Sequence, residues 1–202
     1  AVRSSAPTGA RTPRLAFQFV RTATFLLIAL TTAFHSQPVS ADTAVAERAM
    51  VATNHPLATE AAIEVFREGG NAVDAAVTAA LTLGVVDGEN SGIGGGCLIL
   101  IRSADGKLTA IDGREMAPGA AHKDMFLRDG KPMPNASQTG PLASGVPGAL
   151  AAYDLALRQC GSIKLSRALS PGMKAAADGF VVDRSLAEAI DGTSRSLKRF
   201  AG

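Results

Sequence analysis

Arg114, in the run Asp112-Gly113-Arg114-Glu115, is a lone arginine among carboxylates, a residue type whose chemistry is that of gripping an anion. A planar guanidinium meets a carboxylate through two parallel charge-assisted bonds, a fork that lysine cannot copy. Blind to context, an arginine beside Asp112 and Glu115 is also an ordinary surface ion pair. Upstream lie Gly92, Gly94, Gly95 and Gly96, whose missing Cβ atoms let the backbone turn sharply and pass close to another segment. Two phosphate-loop readings of that cluster fail. A dinucleotide fingerprint needs glycine where Cys97 stands and a helix where an apolar run begins, and a P-loop needs a Lys-Ser/Thr pair after the glycines.

Other reactive side chains carry weaker signals. His55 could be imagined as a general base, but it adjoins a helix start and reads as structural. The three histidines are scattered, so no metal-ligand spacing is seen and neither metal nor cofactor is expected. Cys97 and Cys160 are the two cysteines, one in an apolar strand and one near a helix end, and both read as small buried hydrophobes rather than a bridge.

The elements that must position Arg114 follow from periodicity and punctuation. Cys97 to Ile101 is a continuous apolar run, Asp105-Gly106 is a two-residue hairpin signal, and Leu108 to Ile111 reads as the returning strand. Met50 to Thr53 is a short strand candidate. Asn54-His55-Pro56 opens a helix whose apolar stripe includes Leu57, Ala61 and Val65, ended by Gly69-Gly70. Asn71 caps a second helix, with Asp74 three residues on, and Ala72 to Val86 is apolar nearly all round, which places it at the centre of a layered fold. Met116 to Val146 is broken by prolines and glycines and reads as a long surface connection. Pro147-Gly148 starts a helix that stops near Gly161, Ser170-Pro171 starts another that stops at Gly179, and Asp183 caps a last one from Arg184 to Ile190. Helices before and after a hairpin argue for an α/β or α+β layered domain.

Five motifs in order carry a resemblance: His55-Pro56-Leu57-Ala58, the run Gly69 to Ala76 (GGNAVDAA), Ser91 to Gly96 (SGIGGG), Asp112 to Glu115 (DGRE) and Gly145 to Gly148 (GVPG). Together the chain resembles the gamma-glutamyltranspeptidase (glutathione hydrolase) family from about Met50 to Leu186, roughly the first third of that family's precursor. Two departures stand out: Asp87-Gly88-Glu89 replaces a more usual Glu-Pro pair and a His, and Cys97 replaces a common fourth glycine.

The resemblance implies an α+β N-terminal-nucleophile hydrolase of αββα layered type, incomplete in this chain, made as one precursor that cuts itself into a large and a small subunit. It implies that Arg114 grips the α-carboxylate of a γ-glutamyl substrate such as glutathione. It also implies that the nucleophile is a threonine freed at the start of the small subunit, its α-amine acting as base. That threonine lies outside this chain: Thr53, Thr59, Thr78, Thr82, Thr109, Thr139 and Thr193 sit in packing, capping or surface contexts, so no catalytic residue is assigned here. Two rivals are an acylase or poly-γ-glutamate depolymerase on the same fold, and a non-catalytic exported remnant. A carboxylate-free acyl group would make Arg114 superfluous.

Length and charge set the rest. Residues 1–41 contain Arg3, Arg11, Arg14 and Arg21 without any acid or lysine, then an apolar core from Ala23 to Leu30, then Val39-Ser40-Ala41. That is the pattern of a secretory signal peptide, with a core too short for a membrane span of about 20 residues. Residues 42–202 then form the large-subunit portion, exported to the periplasm or the exterior without a stable membrane anchor. Without the four leader arginines the formal charge falls from +2 to −2, and no Lys/Arg cluster with aromatics remains to bind nucleic acid. The 202 residues suffice for one domain, and an apolar content of 47% with 4% aromatics calls for a core of Ala, Val, Leu and Ile.

Overall fold

The computed structural model describes residues 43–199. The expected leader over 1–41 lies outside the described residues. Residues 43–45 carry no regular element, and the folded unit begins at Ala46.

Five helices and a hairpin organise it: α1 Pro56–Arg67, α2 Ala72–Val86, β1 Cys97–Arg102, β2 Leu108–Gly113, α3 Ala149–Cys160, α4 Leu165–Asp178 and α5 Arg184–Arg199. Between β2 and α3 runs the long connection, which holds a small ladder, β3 Leu127–Arg128 with β4 Lys131–Pro132, and a 3₁₀ turn Pro141–Ala143. An antiparallel bridge between Met116 and Val146 closes that excursion at its base.

Helix α2 is central, packed by α1, α3 and α4. Its start is a capping box: Asn71 Oδ1 accepts from the amides of Val73 and Asp74, and Asp74 Oδ2 accepts from the Asn71 amide at 2.8 Å. Asp74 is fully buried, because the turn between α3 and α4 also closes on it. The Ser162 amide donates to Oδ1 at 2.8 Å, the Ser162 hydroxyl to Oδ2 at 2.7 Å and the Ile163 amide to Oδ1 at 3.2 Å. Burial alone would push this carboxyl up, but the Ser162 hydroxyl and the three amides outweigh it and hold it below its ordinary value.

Two apolar clusters meet on α2. Ala58, Ala62 and Val65 of α1 pack on Ala75 and Ala79, while Val77 and Leu81 pack with Ile111, Ala152, Ala156, Leu157 and Ala168. Most of these buried groups are alanines, so helix axes approach closely. A Cβ at Gly172 of α4 would stand 3.0 Å from the Leu81 carbonyl. The hairpin lays Ile99, Ile101 and Ile111 on this core, and exposes Leu98, Leu100 and Leu108 on its other face.

Four expectations need correction. Met50 to Thr53 is not a strand: the described ladders pair only β1 with β2 and β3 with β4, so this stretch has no partner, and Val51 packs on the α1 cluster instead. The hairpin turn has three residues, not two. The Gly106 amide bonds the Ser103 carbonyl at 2.9 Å, Gly106 then takes φ +87°, and Ser103 pairs with Lys107. That is a type I turn closed by a glycine bulge. Helix α4 begins at Leu165, six residues before Pro171, which lies inside it. An internal proline costs about 3 kcal/mol through its lost hydrogen bond, and the α4 face buried on α2, with Ala168 fully enclosed, offsets that loss. Helix α5 runs nine residues past Ile190 to Arg199, because Leu197 continues the apolar period beyond Gly192.

Candidate functional site

Arg114 is the first residue after β2. Its amide donates to Asp112 Oδ1 at 3.0 Å, so the aspartate bends the chain locally as the strand ends. The peptide carrying it is gripped from two sides by glycine. A Cβ at Gly96 would lie 2.7 Å from the Gly113 carbonyl and 2.8 Å from Arg114 Cα; one at Gly148 would lie 2.4 Å from the Gly113 carbonyl and 2.9 Å from that of Arg114. No larger residue fits either position without moving backbone. The Gly95 carbonyl accepts from the amides of Gly148 and Ala149 at 3.1 Å each, which joins the glycine run to the start of α3. Three of the sequence motifs are therefore one packed crossing, and Arg114 stands on it.

The residue before α1 and the C-terminal end of α2 meet beside the glycine run. Asn54 Nδ2, beside the start of α1, donates to Asp87 Oδ2 at 3.0 Å, and Asn90 Nδ2 donates to Oδ1 of the same carboxylate at 2.9 Å. The amides of Asn90 and Ser91 bond the Asp87 carbonyl. The Asp87-Gly88-Glu89 departure thus builds a hydrogen-bonded turn at the end of α2. Gly84 of α2 lies against Gly92, where a Cβ would be 3.4 Å from the Gly92 Cα. His55 caps α1: its Nδ1 accepts from the Leu57 amide at 3.2 Å, and its ring meets Phe180 edge-on. That is a structural place, as its position beside the helix start implied.

The Arg114 side chain is two-thirds exposed and its Nη2 lies 3.3 Å from Glu115 Oε2. Glu115 is the less free of the two. The polar influence of its own amide, then the Arg114 charge and the Gly96 amide, hold its carboxyl below the ordinary value against the opposing effect of burial. Beside it opens a cleft of about 480 Å³ between the Gly92 to Gly96 run, Glu115 and Tyr153. Arg114 is not one of the residues lining the cleft and meets it through Glu115.

Cys97 opens β1 with its sulfur near Gly113 and beside Tyr153 of α3. Burial pushes the Cys97 thiol up, and the charges of Asp112 and Glu115 add to this against the lowering influence of Tyr153. Burial, followed by Cys97, likewise raises the Tyr153 phenol. Both Cys97 and Cys160 are free thiols. Among the described residues no three His, Cys, Asp or Glu side chains gather to hold a metal ion.

Sequence reasoning placed Arg114 at the hairpin's end but missed how firmly Glu115 is anchored and that Tyr153 forms a wall of the cleft. Tyr153 is the one tyrosine in the chain, lying in the first turns of α3 just after Gly148. That spacing was the available signal.

Comparison with known proteins converges on one group. The family model described as Gamma-glutamyltranspeptidase matches residues 58–201. The chain is 46% identical over 144 residues to the glutathione hydrolase proenzyme of Escherichia coli, covering 71% of this chain and 25% of that protein. It is 41% identical over 189 residues to the Bacillus subtilis glutathione hydrolase proenzyme, covering 87% of this chain and 32% of the relative. The crystal structure of Helicobacter pylori gamma-glutamyltranspeptidase superposes with a TM-score of 0.75 at 36% identity, over 79% of this chain and 46% of that one. The chain spans between a quarter and a third of the length of these two curated relatives.

Proposed function

The chain belongs to the gamma-glutamyltranspeptidase family and carries part of its N-terminal-nucleophile hydrolase fold, and on that footing we propose that it is the N-terminal portion of the large subunit of an exported γ-glutamyl hydrolase and transferase. The whole protein cleaves γ-glutamyl amides such as glutathione. It passes the γ-glutamyl group to water or to amines through an acyl-enzyme on a threonine supplied by the small subunit of the same precursor. The proenzyme names of the relatives favour a precursor cut into two subunits.

Within this chain the role belongs to Arg114, which takes the α-carboxylate of the γ-glutamyl group. One observation carries the reading: the peptide of Arg114 is locked between Gly96 and Gly148 while its guanidinium stays two-thirds exposed. A rigid backbone carrying an accessible cation suits recognition of a small anion better than it suits stability, since an exposed ion pair adds at most about 1 kcal/mol. The reaction needs no step from a titrating group of this chain. Arg114 binds and orients, and the scissile amide then lies at a fixed distance from the carboxylate end.

The test is turnover of γ-glutamyl p-nitroanilide by the complete protein. Losing one partner of a desolvated charge pair costs on the order of 2 to 5 kcal/mol, so Arg114→Ala lowers kcat/KM by roughly 30-fold to a few thousandfold. An analogue without the α-carboxylate is turned over equally by both proteins. An equal loss on both substrates, or none on the first, makes Arg114 a scaffold residue.

A further inference from the structure

We infer that His55 is a pH-responsive latch between the start of α1 and the linker Gly179 to Asp183: neutral, it caps α1, and protonated, it turns to Asp183. The inference is independent of the reading of Arg114. Three observations carry it.

First, the cap depends on an unprotonated nitrogen. His55 Nδ1 accepts from the Leu57 amide at 3.2 Å, and in the imidazolium both ring nitrogens are donors. Protonation sets two donors against each other at the head of α1. It also adds a positive charge to the positive end of a helix whose first turn holds no acid. Second, the ring has another place to go. Beside it opens a cavity of about 610 Å³, lined on the linker side by Gly179, Phe180, Val181 and Asp183. Among the described residues lining it, Asp183 is the one titratable group besides His55, while Glu60 of α1 and Asp178 of α4 face the groove between those two helices. Asp183 Oδ1 accepts from the Leu186 amide at 2.9 Å, and a carboxylate has further acceptor sites for an imidazolium. Third, the backbone of His55 is held apart from its ring. Its carbonyl accepts from the Thr53 hydroxyl at 2.9 Å and from the amides of Ala58 and Thr59, so the ring can rotate away while the first turn of α1 stays closed.

Phe180 couples this rotation to the linker. It meets the His55 ring edge-on, with 6.3 Å between centroids, and is half-buried while Gly179, Val181 and Val182 around it are exposed. When the imidazole leaves, the linker loses the contact that turns it inward. Acid therefore opens the path from α4 to α5 and leaves α2 and the hairpin in place.

Hydrogen–deuterium exchange of the complete protein, followed by mass spectrometry of the peptides over 55–60 and 179–186, tests this at about pH 7.5 and about pH 5.5, within the span where imidazole ordinarily changes charge. His55→Asn supplies a cap that does not titrate, and it is measured at each pH so that the intrinsic exchange rate cancels. The two proteins are expected to match at the higher pH. At the lower pH the wild type is expected to exchange about fivefold to tenfold faster in both peptides, as loss of a cap implies. Asp183→Asn keeps an acceptor for the Leu186 amide but loses the charge, and is expected to move the opening to lower pH. His55→Ser carries the comparison should His55→Asn fail to fold. An acid response shared by His55→Asn overturns the inference, as does its absence from the wild type, or an opening midpoint that Asp183→Asn leaves in place.

Discussion

Asp74 and Ser162 stand 88 residues apart in the chain, yet the Ser162 hydroxyl donates to Asp74 Oδ2 at 2.7 Å and the Ser162 amide to Oδ1 at 2.8 Å. One carboxylate thus caps its own helix and fastens the turn between α3 and α4. Asn71 Nδ2, donating to the Cys160 carbonyl at 2.8 Å, repeats the link three residues before Asp74 and two before Ser162. Helix α3 in turn begins at Gly148, whose close approach holds the Arg114 peptide. Asp74 therefore acts on the site through the placement of α3.

Replacing Asp74 by Asn leaves at least two buried donors facing an amide that cannot accept from all of them. Unpaired buried groups cost about 1 to 3 kcal/mol each, so the complete protein should lose about 3 kcal/mol of stability at neutral pH. The pH dependence has a definite sign. The folded carboxyl is held below its unfolded value, so its contribution is present above the unfolded value and is lost as pH falls through the folded one. Denaturant unfolding of Asp74→Asn and wild type should differ most at neutral pH and converge in acid below the usual carboxylate range. A gap that stays constant into acid would show that the carboxylate charge is not what holds the turn.

Gly148→Ala should be severe, because its Cβ would sit 2.4 Å from the Gly113 carbonyl and would meet backbone, not a flexible side chain. Overpacking of that kind costs roughly 1 to 3 kcal/mol, and here the strain falls on the peptide that carries Arg114. Gly88→Ala is the matched control, with nothing within 4 Å of its added Cβ. Thermal melts and KM should both shift for the first and neither for the second. Equal behaviour of the two variants would remove the close-approach argument.

Cys97 and Cys160 should both titrate as free thiols after unfolding without reductant, since neither is bridged. In the folded protein Cys97 should react slowly with iodoacetamide at pH 8. Burial raises its thiol above the ordinary value, and the thiolate is the nucleophile. Mass mapping of alkylated peptides gives the rate, and Cys97 labelling as fast as an unfolded control would contradict the burial seen here.

Export predicts a mature amino terminus at Asp42, directly after the Val39-Ser40-Ala41 stretch. Intact mass of the protein recovered from the periplasm or medium decides it. Retention of residues 1–41 would instead favour a membrane anchor.

Arg114→Lys separates charge from shape. Lysine keeps the cation and loses the planar fork, so kcat/KM should fall between wild type and Arg114→Ala. The proposed self-cleavage of the precursor would involve no free α-carboxylate, so on that reading both variants should still yield two subunits on a denaturing gel. A precursor that stays uncut in Arg114→Lys would move this residue from recognition to maturation.

What the sequence by itself determined is local. Asn71 with Asp74 defined a helix whose bounds, Ala72 to Val86, are those observed, because a capping box is an interaction across three residues. The apolar run from Cys97, the turn residues and the run from Leu108 defined the hairpin in the same way. The four glycines before Cys97 announced a close backbone approach, though not to what. Tertiary structure decided the rest. Only the packed chain brings Gly148 against Gly113, seats Glu115 among Gly95, Gly96 and Gly145, and turns Asp74 towards Ser162. It also carries α4 through Pro171, where local propensity argues for a helix start, because burial on α2 outweighs one lost hydrogen bond. A local signal is fixed by neighbours a few residues away. The setting of Arg114 depends on segments up to about fifty residues distant, whose approach is favoured only once the whole core closes.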